Sequence, residues 1–199
     1  MKIVVTGALG HIGSRLVREL PAGLPGAEIV MLDNMAAQRY FSLFDLPDGA
    51  RYRFFEENVL EADLPAHFEG ADAVVHLAAI TNAAGSFDIA KKVEAENFKA
   101  TELVAGACAE TGAAMVYLSS TSVYGTQAEV VDEDCSEEEL QPQSPYAETK
   151  IREENLLQEL KEKKGLRSIT CRFGTICGTS PGMRFHTAVN KFCWQAVLG

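Results

Sequence analysis

The chain has 199 residues, of which 47% are hydrophobic and 23% charged, a globular balance that excludes a disordered tail, a collagen-like chain and a coiled coil. At roughly 150 residues per domain it makes one domain, or one plus part of another, and it buries roughly 70% of its unfolded surface, so folding requires neither metal nor disulfide. Its 28 acidic and 18 basic residues leave a net charge of −10, which argues against nucleic acid and anionic membranes as partners.

Met1–Thr6 reads as a strand (Lys2–Thr6) and not as a secretory leader, because only Ile3, Val4 and Val5 separate Lys2 from Thr6 and Gly7. A helix is expected at His11–Leu20, ended by Pro21, Gly23, Pro25 and Gly26. Strands follow at Glu28–Asp33 and Arg51–Phe55, then a helix at Glu61–Phe68 and a strand at Ala73–Leu77. A long helix at Phe87–Glu110, with Gly112 as its C-cap, leads to a strand at Ala114–Ser119. Glu129–Leu140 carries seven acidic residues in twelve and reads as a solvated loop. The last helix, Tyr146–Lys163, carries the i,i+4 pairs Glu148–Arg152 and Glu159–Lys163. It ends at Lys161, Lys163, Lys164 and Gly165, before a strand at Ser168–Arg172.

Strict alternation of strand and helix implies an α/β chain with a parallel sheet covered on both faces. No stretch approaches the roughly 18 apolar residues of a membrane span. Cys108, Cys135, Cys171, Cys177 and Cys193 include no CxxC spacing and read as small buried apolar groups, neither bridges nor metal ligands. Cysteine usage and the missing leader point to a reduced, cytoplasmic protein.

The first strand runs directly into Gly7-Ala8-Leu9-Gly10-His11-Ile12-Gly13 and a helix follows, the context in which a glycine triplet cradles phosphate. Gly7 permits a sharp turn, Gly10 lets a pyrophosphate approach the backbone, and Gly13 lets the helix lie close to the strand. Free N–H groups at the helix start then hold the diphosphate. Asp33 closes the second strand twenty residues after Gly13, where a carboxylate accepts ribose hydroxyls and repels a 2′-phosphate. This favours NAD over NADP, with the nearby Arg39 keeping NADP as a minor alternative.

Tyr146 and Lys150 lie one turn apart on one helix face. An ammonium beside a phenol favours the phenolate, so the pair reads as a base usable near neutral pH. Ser120, in the run Ser119-Ser120-Thr121-Ser122 at the carboxyl edge of the fifth strand, can bond the same substrate oxygen.

These residues resemble the extended short-chain dehydrogenase/reductase family, in particular its NAD-dependent sugar-nucleotide epimerases and dehydratases. The matching pieces are Thr6–Gly13, Leu32-Asp33-Asn34, His76-Leu77-Ala78-Ala79, Asn97 to Thr101, Ser119 to Gly125, Ser144-Pro145-Tyr146 to Lys150, and Arg172-Phe173-Gly174. The resemblance implies a Rossmann-like doubly wound sheet over residues 1–174, carrying the catalytic Ser120, Tyr146 and Lys150. Residues 175–199 would begin a substrate-binding region that is short or truncated. The cofactor implied is NAD. Gly7, Gly10, His11, Ile12 and Gly13 would hold its pyrophosphate, Asp33 and Asn34 the ribose, and Asn58 and Val59 the adenine. Leu77, Ala78, Thr81 and Asn97 would line it, Lys150 would bind the nicotinamide ribose, and Phe173 would lie beside the nicotinamide. Thr121 and Thr175 would face the sugar nucleotide.

Three departures stand out. Asn58 replaces the usual Asp, its oxygen still able to accept from the adenine amino group. Ala100 replaces Gly in the Asn-x-x-Gly-Thr motif. Thr121-Ser122 stand where the 4,6-dehydratase branch resembles Asp-Glu, which weighs against dehydration. The chain ends 25 residues after Gly174, as a fragment or as a short member. The leading expectation is therefore NAD-dependent epimerisation of a nucleotide sugar, similar to UDP-glucose 4-epimerase, with Tyr146 as base. The alternatives are a dehydrogenase, reductase or dehydratase on a related sugar or small alcohol, and a non-catalytic NAD-binding protein. Family members pair their long helices into homodimers, which makes Leu103, Val104, Ala107 and Ile151 either dimer contacts or residues that face the sheet.

Overall fold

The computed structural model describes residues 1–80, 87–125, 131–133, 135, 140–185 and 187–198. Its strands are β1 (Lys2–Thr6), β2 (Glu28–Asp33), β3 (Arg51–Glu56), β4 (Ala73–His76), β5 (Ala114–Ser120) and β6 (Ser168–Phe173). The helices are α1 (His11–Gly23), α2 (Leu64–Phe68), α3 (Phe87–Thr111), α4 (Pro145–Lys164) and α5 (Ala188–Leu198), with short 3₁₀ turns at Tyr40–Leu43 and Thr121–Tyr124. All strand pairs are parallel, in the order β3-β2-β1-β4-β5-β6, the doubly wound Rossmann order.

Side-chain alternation divides the core between two faces. Val4, Val30 and Val74 pack with Val104, Cys108 and Leu157 of α3 and α4, whereas Ile3, Val5, Ile29 and Met31 pack with Val17 of α1. Each such fully buried aliphatic side chain contributes about 1.5–3 kcal/mol. Coverage of both faces holds for the central strands but fails at the edge: Ile169 on β6 is 64% exposed.

Several boundaries shift for local reasons. Pro21 does not end α1; it lies inside the last turn, and the helix closes with Leu24 N donating to Leu20 O at 2.8 Å. The helix expected from Glu61 begins at Leu64, because Asp63 caps it by accepting from Ala66 N and Pro65 fits the first turn, while Glu61 and Ala62 form a turn on Asn58 O. Gly112 (φ +74°) and Gly165 (φ +69°) take up the left-handed positions after α3 and α4. Glu159 pairs with Lys163 as expected, but the Arg152 guanidinium lies 4.6 Å from the ring of Phe98 on α3. Val104 and Ala107 are buried within this chain, so they serve its own core. Cys108 is buried as expected, but Cys135 and Cys171 are only partly buried and Cys177 and Cys193 are exposed, Cys193 because among the described residues of α5 only Asn190 is buried. Most of the acidic stretch Glu129–Leu140 lies outside the described residues. Among the described residues no helix is long and apolar enough to cross a membrane.

Candidate active site

The order reverses between β1 and β4, and their carboxyl ends open a crevice there. Two cavities, about 300 Å³ and about 630 Å³, meet in it and share Gly7, Gly10, Leu77, Ala78, Ala79, Asn97 and Arg184.

The glycine loop is built by close contact. Gly7 N and Ala8 N donate to Leu32 O at 2.8 and 3.3 Å, tying the loop to β2. A Cβ on Gly7, already at φ +65°, would come within 2.7 Å of the Leu77–Ala78 backbone, and one on Gly13 within 2.4 Å of Gly7 O. The first bond of α1 is Ser14 N to Gly10 O at 2.9 Å, which leaves the N–H groups of His11, Ile12 and Gly13 ahead of the ladder. Asp33 is fixed by two backbone donors, Leu9 N to Oδ2 and Met35 N to Oδ1, both at 3.0 Å. It lines the larger cavity with Asn34, Asn58, Val59 and Arg39. Asn58 Oδ1 accepts from Leu60 N at 3.1 Å, which fixes the amide and leaves the oxygen one further lone pair. The Asn97 amide is engaged on both sides by the Ile80 backbone, at 2.8 and 2.9 Å, so it braces the cavity wall.

The smaller cavity gathers Ser120, Tyr146, Lys150, Phe173 and Thr175. Tyr146 sits in the first turn of α4, where Ser144 Oγ caps the helix by accepting from Ala147 N at 3.2 Å. Lys150 Nζ lies 5.8 Å from the Tyr146 ring centroid. Its closer partners are the Tyr117 hydroxyl and Glu153 Oε2, each at 3.0 Å. Tyr146 departs from the expected acidification: burial and the Glu153 charge hold its pKa above the ordinary phenol value, against the Ser120 hydrogen bond and Arg184, which pull it down. Ser119 Oγ, in the same wall, is buried with no hydrogen-bond partner. Thr121 is exposed, its hydroxyl 3.5 Å from Phe173 O, and it lines neither cavity. Thr81 lies outside the described residues.

The spacing of motifs did not announce the segment after β6. A Cβ on Gly182 would come within 2.4 Å of Leu9 O and Gly10 O, and Gly182 N donates to Ser14 Oγ at 2.8 Å. Ser180 Oγ lies 3.2 Å from His11 Nδ1. This segment brings Arg184 to the junction of both cavities, where its guanidinium forms no ion pair with a described carboxylate. A glycine and a cation beyond the last matched motif were the available signals.

Residues 3–197 match the NAD dependent epimerase/dehydratase family model. An uncharacterized UDP-glucose epimerase of Bacillus subtilis (strain 168) is 35% identical over 100% of this chain and 64% of its own length. The UDP-glucuronic acid 4-epimerase from Bacillus cereus, solved with UDP-glucuronic acid and NAD, superposes with a TM-score of 0.86 at 27% identity, over 100% of this chain and 63% of its own. The dTDP-glucose 4,6-dehydratase DesIV from Streptomyces venezuelae, solved with NAD and TYD, gives 0.81 at 25% identity, over 100% and 63%. The chain thus spans less than two thirds of the length of these relatives. The fold order, the glycine loop, the Tyr146–Lys150 helix and the family match agree: the chain belongs to the NAD-dependent epimerase/dehydratase family.

Proposed function

We propose that this chain carries the NAD-binding and proton-transfer part of an enzyme that epimerises a nucleotide sugar, in the manner of a UDP-glucose 4-epimerase. The crevice fits the dinucleotide: no side chain of Gly7, Gly10 or Gly13 obstructs the loop, the N–H groups of His11, Ile12 and Gly13 suit a diphosphate, and the partnerless Ser119 hydroxyl marks a wall awaiting a polar group. Asp33 and Asn34 would hold the adenosine ribose, Asn58 and Val59 the adenine, and Phe173 the nicotinamide side. Bound NAD supplies reversible hydride exchange at the sugar carbon, which lets the sugar pass through a transient keto form. Tyr146 takes the proton of the sugar hydroxyl and returns it, Ser120 bonds the same oxygen, and Thr175 faces the sugar nucleotide.

One observation favours epimerisation over loss of water. The only carboxylate among the described residues lining the catalytic cavity is Glu153, which is 1% exposed and already accepts from Thr101, Tyr117 and Lys150. Among the described residues no free acid stands there to expel a hydroxyl, and Thr121-Ser122 carry none. The working form in this reading is a cytoplasmic homodimer, supported by five free cysteines and by the partly exposed Leu103 and Ile151 on the packed pair α3 and α4.

The test is turnover of UDP- and dTDP-hexoses by the purified chain, and by a longer form where one exists. The reading predicts interconversion of epimers without net NADH, and a loss of about a hundredfold or more in Tyr146→Phe. Stoichiometric NADH release would favour the dehydrogenase reading instead. Full activity in Tyr146→Phe would overturn the assignment of the base.

A further inference from the structure

Behind the catalytic cavity runs a buried polar chain. Glu153 Oε1 accepts from Thr101 Oγ1 of α3 at 2.8 Å, and its Oε2 accepts from the Tyr117 hydroxyl of β5 and from Lys150 Nζ. At the other end, Thr6 Oγ1 accepts from Leu77 N and Ala78 N, both at 3.2 Å, and lies 2.8 Å from His76 Nδ1. His76 Nε2 is 3.4 Å from Thr101 Oγ1.

Counting lone pairs fixes the directions. The two backbone N–H groups fill the acceptor sites of Thr6 Oγ1, so its O–H donates to His76 Nδ1. The imidazole then carries its single proton on Nε2, toward Thr101, and Thr101 donates to Glu153. Every donor, from the Leu77–Ala78 cavity wall onward, points toward one carboxylate. A plain helix-to-sheet fastening would need one partner for Glu153; this residue has three, one of them the lysine of the proposed proton-transfer set.

We propose that Glu153 is a positioning residue of the proton-transfer site: it holds the Lys150 ammonium against Tyr117 as half of a buried ion pair and sets its own negative charge within reach of the Tyr146 phenol. This deepens, and rests on, the reading of Tyr146 as the base. The charged and titratable groups around the pair are Tyr117 on β5, which also feels Glu154, His76 on β4, which feels Lys150, and Tyr146 on α4, which feels Glu153 and, from the segment after β6, Arg184. Glu154 is itself paired with Arg172 of β6 at 2.7 Å, and α3 presents the neutral Thr101. Glu153 is thus the carboxylate in direct contact with Lys150, and the elevated proton affinity of Tyr146 has its charge as the second cause after burial.

The experiment follows Tyr146 directly, by NMR titration of the whole chain with ring-labelled tyrosine, the resonance being assigned by its loss in Tyr146→Phe. In Glu153→Gln the Tyr146 midpoint is expected to fall by about one pH unit, as removal of a nearby like charge does, and the acid limb of kcat/KM against pH should move the same way. Glu153→Asp retains the charge one methylene further from Lys150, and its midpoint should lie between the two; it carries the test where Glu153→Gln does not fold. An unmoved midpoint in a folded variant overturns the proposal and reduces Glu153 to a structural ion pair. The resonance reports on Tyr146 whether or not the chain turns over sugar. A shifted midpoint without epimerase activity therefore refutes the proposed function alone, and activity with an unmoved midpoint refutes this inference alone.

Discussion

A second proton on His76 would find no acceptor at Nδ1, where the Thr6 hydroxyl already donates, and Lys150 stands nearby. Burial, with Lys150 adding to it, pushes its pKa down to about 3. The unfolded chain protonates this imidazole near its ordinary 6.5, whereas the folded chain resists until about pH 3. Stability from this residue is therefore complete above 6.5 and is lost as pH falls toward 3, at about 1.4 kcal/mol per pH unit. The stability gap between the wild-type chain and His76→Gln, measured by urea unfolding, should narrow as pH falls through that window. A constant gap would contradict the buried neutral imidazole. At this scale the sequence was legible where a residue acts through its own backbone or its near neighbours: Gly7, Gly13, Asp33, and the Tyr146–Lys150 spacing. Glu153 was illegible because a glutamate on a helix crowded with Glu and Lys reads as solvated. Only the approach of α3 and β5 makes it the most buried acid of the site.

Among elements, α4 does the most for the site, because its first turn carries Tyr146 and its second carries Lys150. Ser144 caps that first turn and Pro145 preorganises it. Ser144→Ala should cost about 1 kcal/mol in urea unfolding. It should also lower turnover more than it weakens dinucleotide binding, because the freed turn holds the proposed base and not the glycine loop. Equal loss in both would show the cap to be remote from the chemistry. The C-cap of α4 at Gly165 could be read from the sequence, as could Gly112 after α3, since caps are local. The start of α2 could not, because apolar periodicity ran on through Leu60 and Ala62 while Asp63 and Pro65 set the true beginning. Nor could the return of Gly182 onto Leu9 and Gly10, a contact between the two ends of the chain.

At the scale of the whole molecule, strand–helix alternation gave the parallel sheet, and the reversal between β1 and β4 brings the glycine loop and the Tyr146–Lys150 helix to one crevice. Strand order itself follows from handed crossovers and the family pattern, whereas exposure of an edge such as Ile169 depends on what packs there and carries no periodic signature. The central claim is that this crevice takes NAD. Calorimetric titration of the folded chain, first cleared of carried-over nucleotide, tests it most directly. The account predicts saturable heat with NAD at one site per chain, with NADP weaker because the Asp33 carboxylate repels a 2′-phosphate. Absence of heat with both dinucleotides, or tighter binding of NADP, would contradict it.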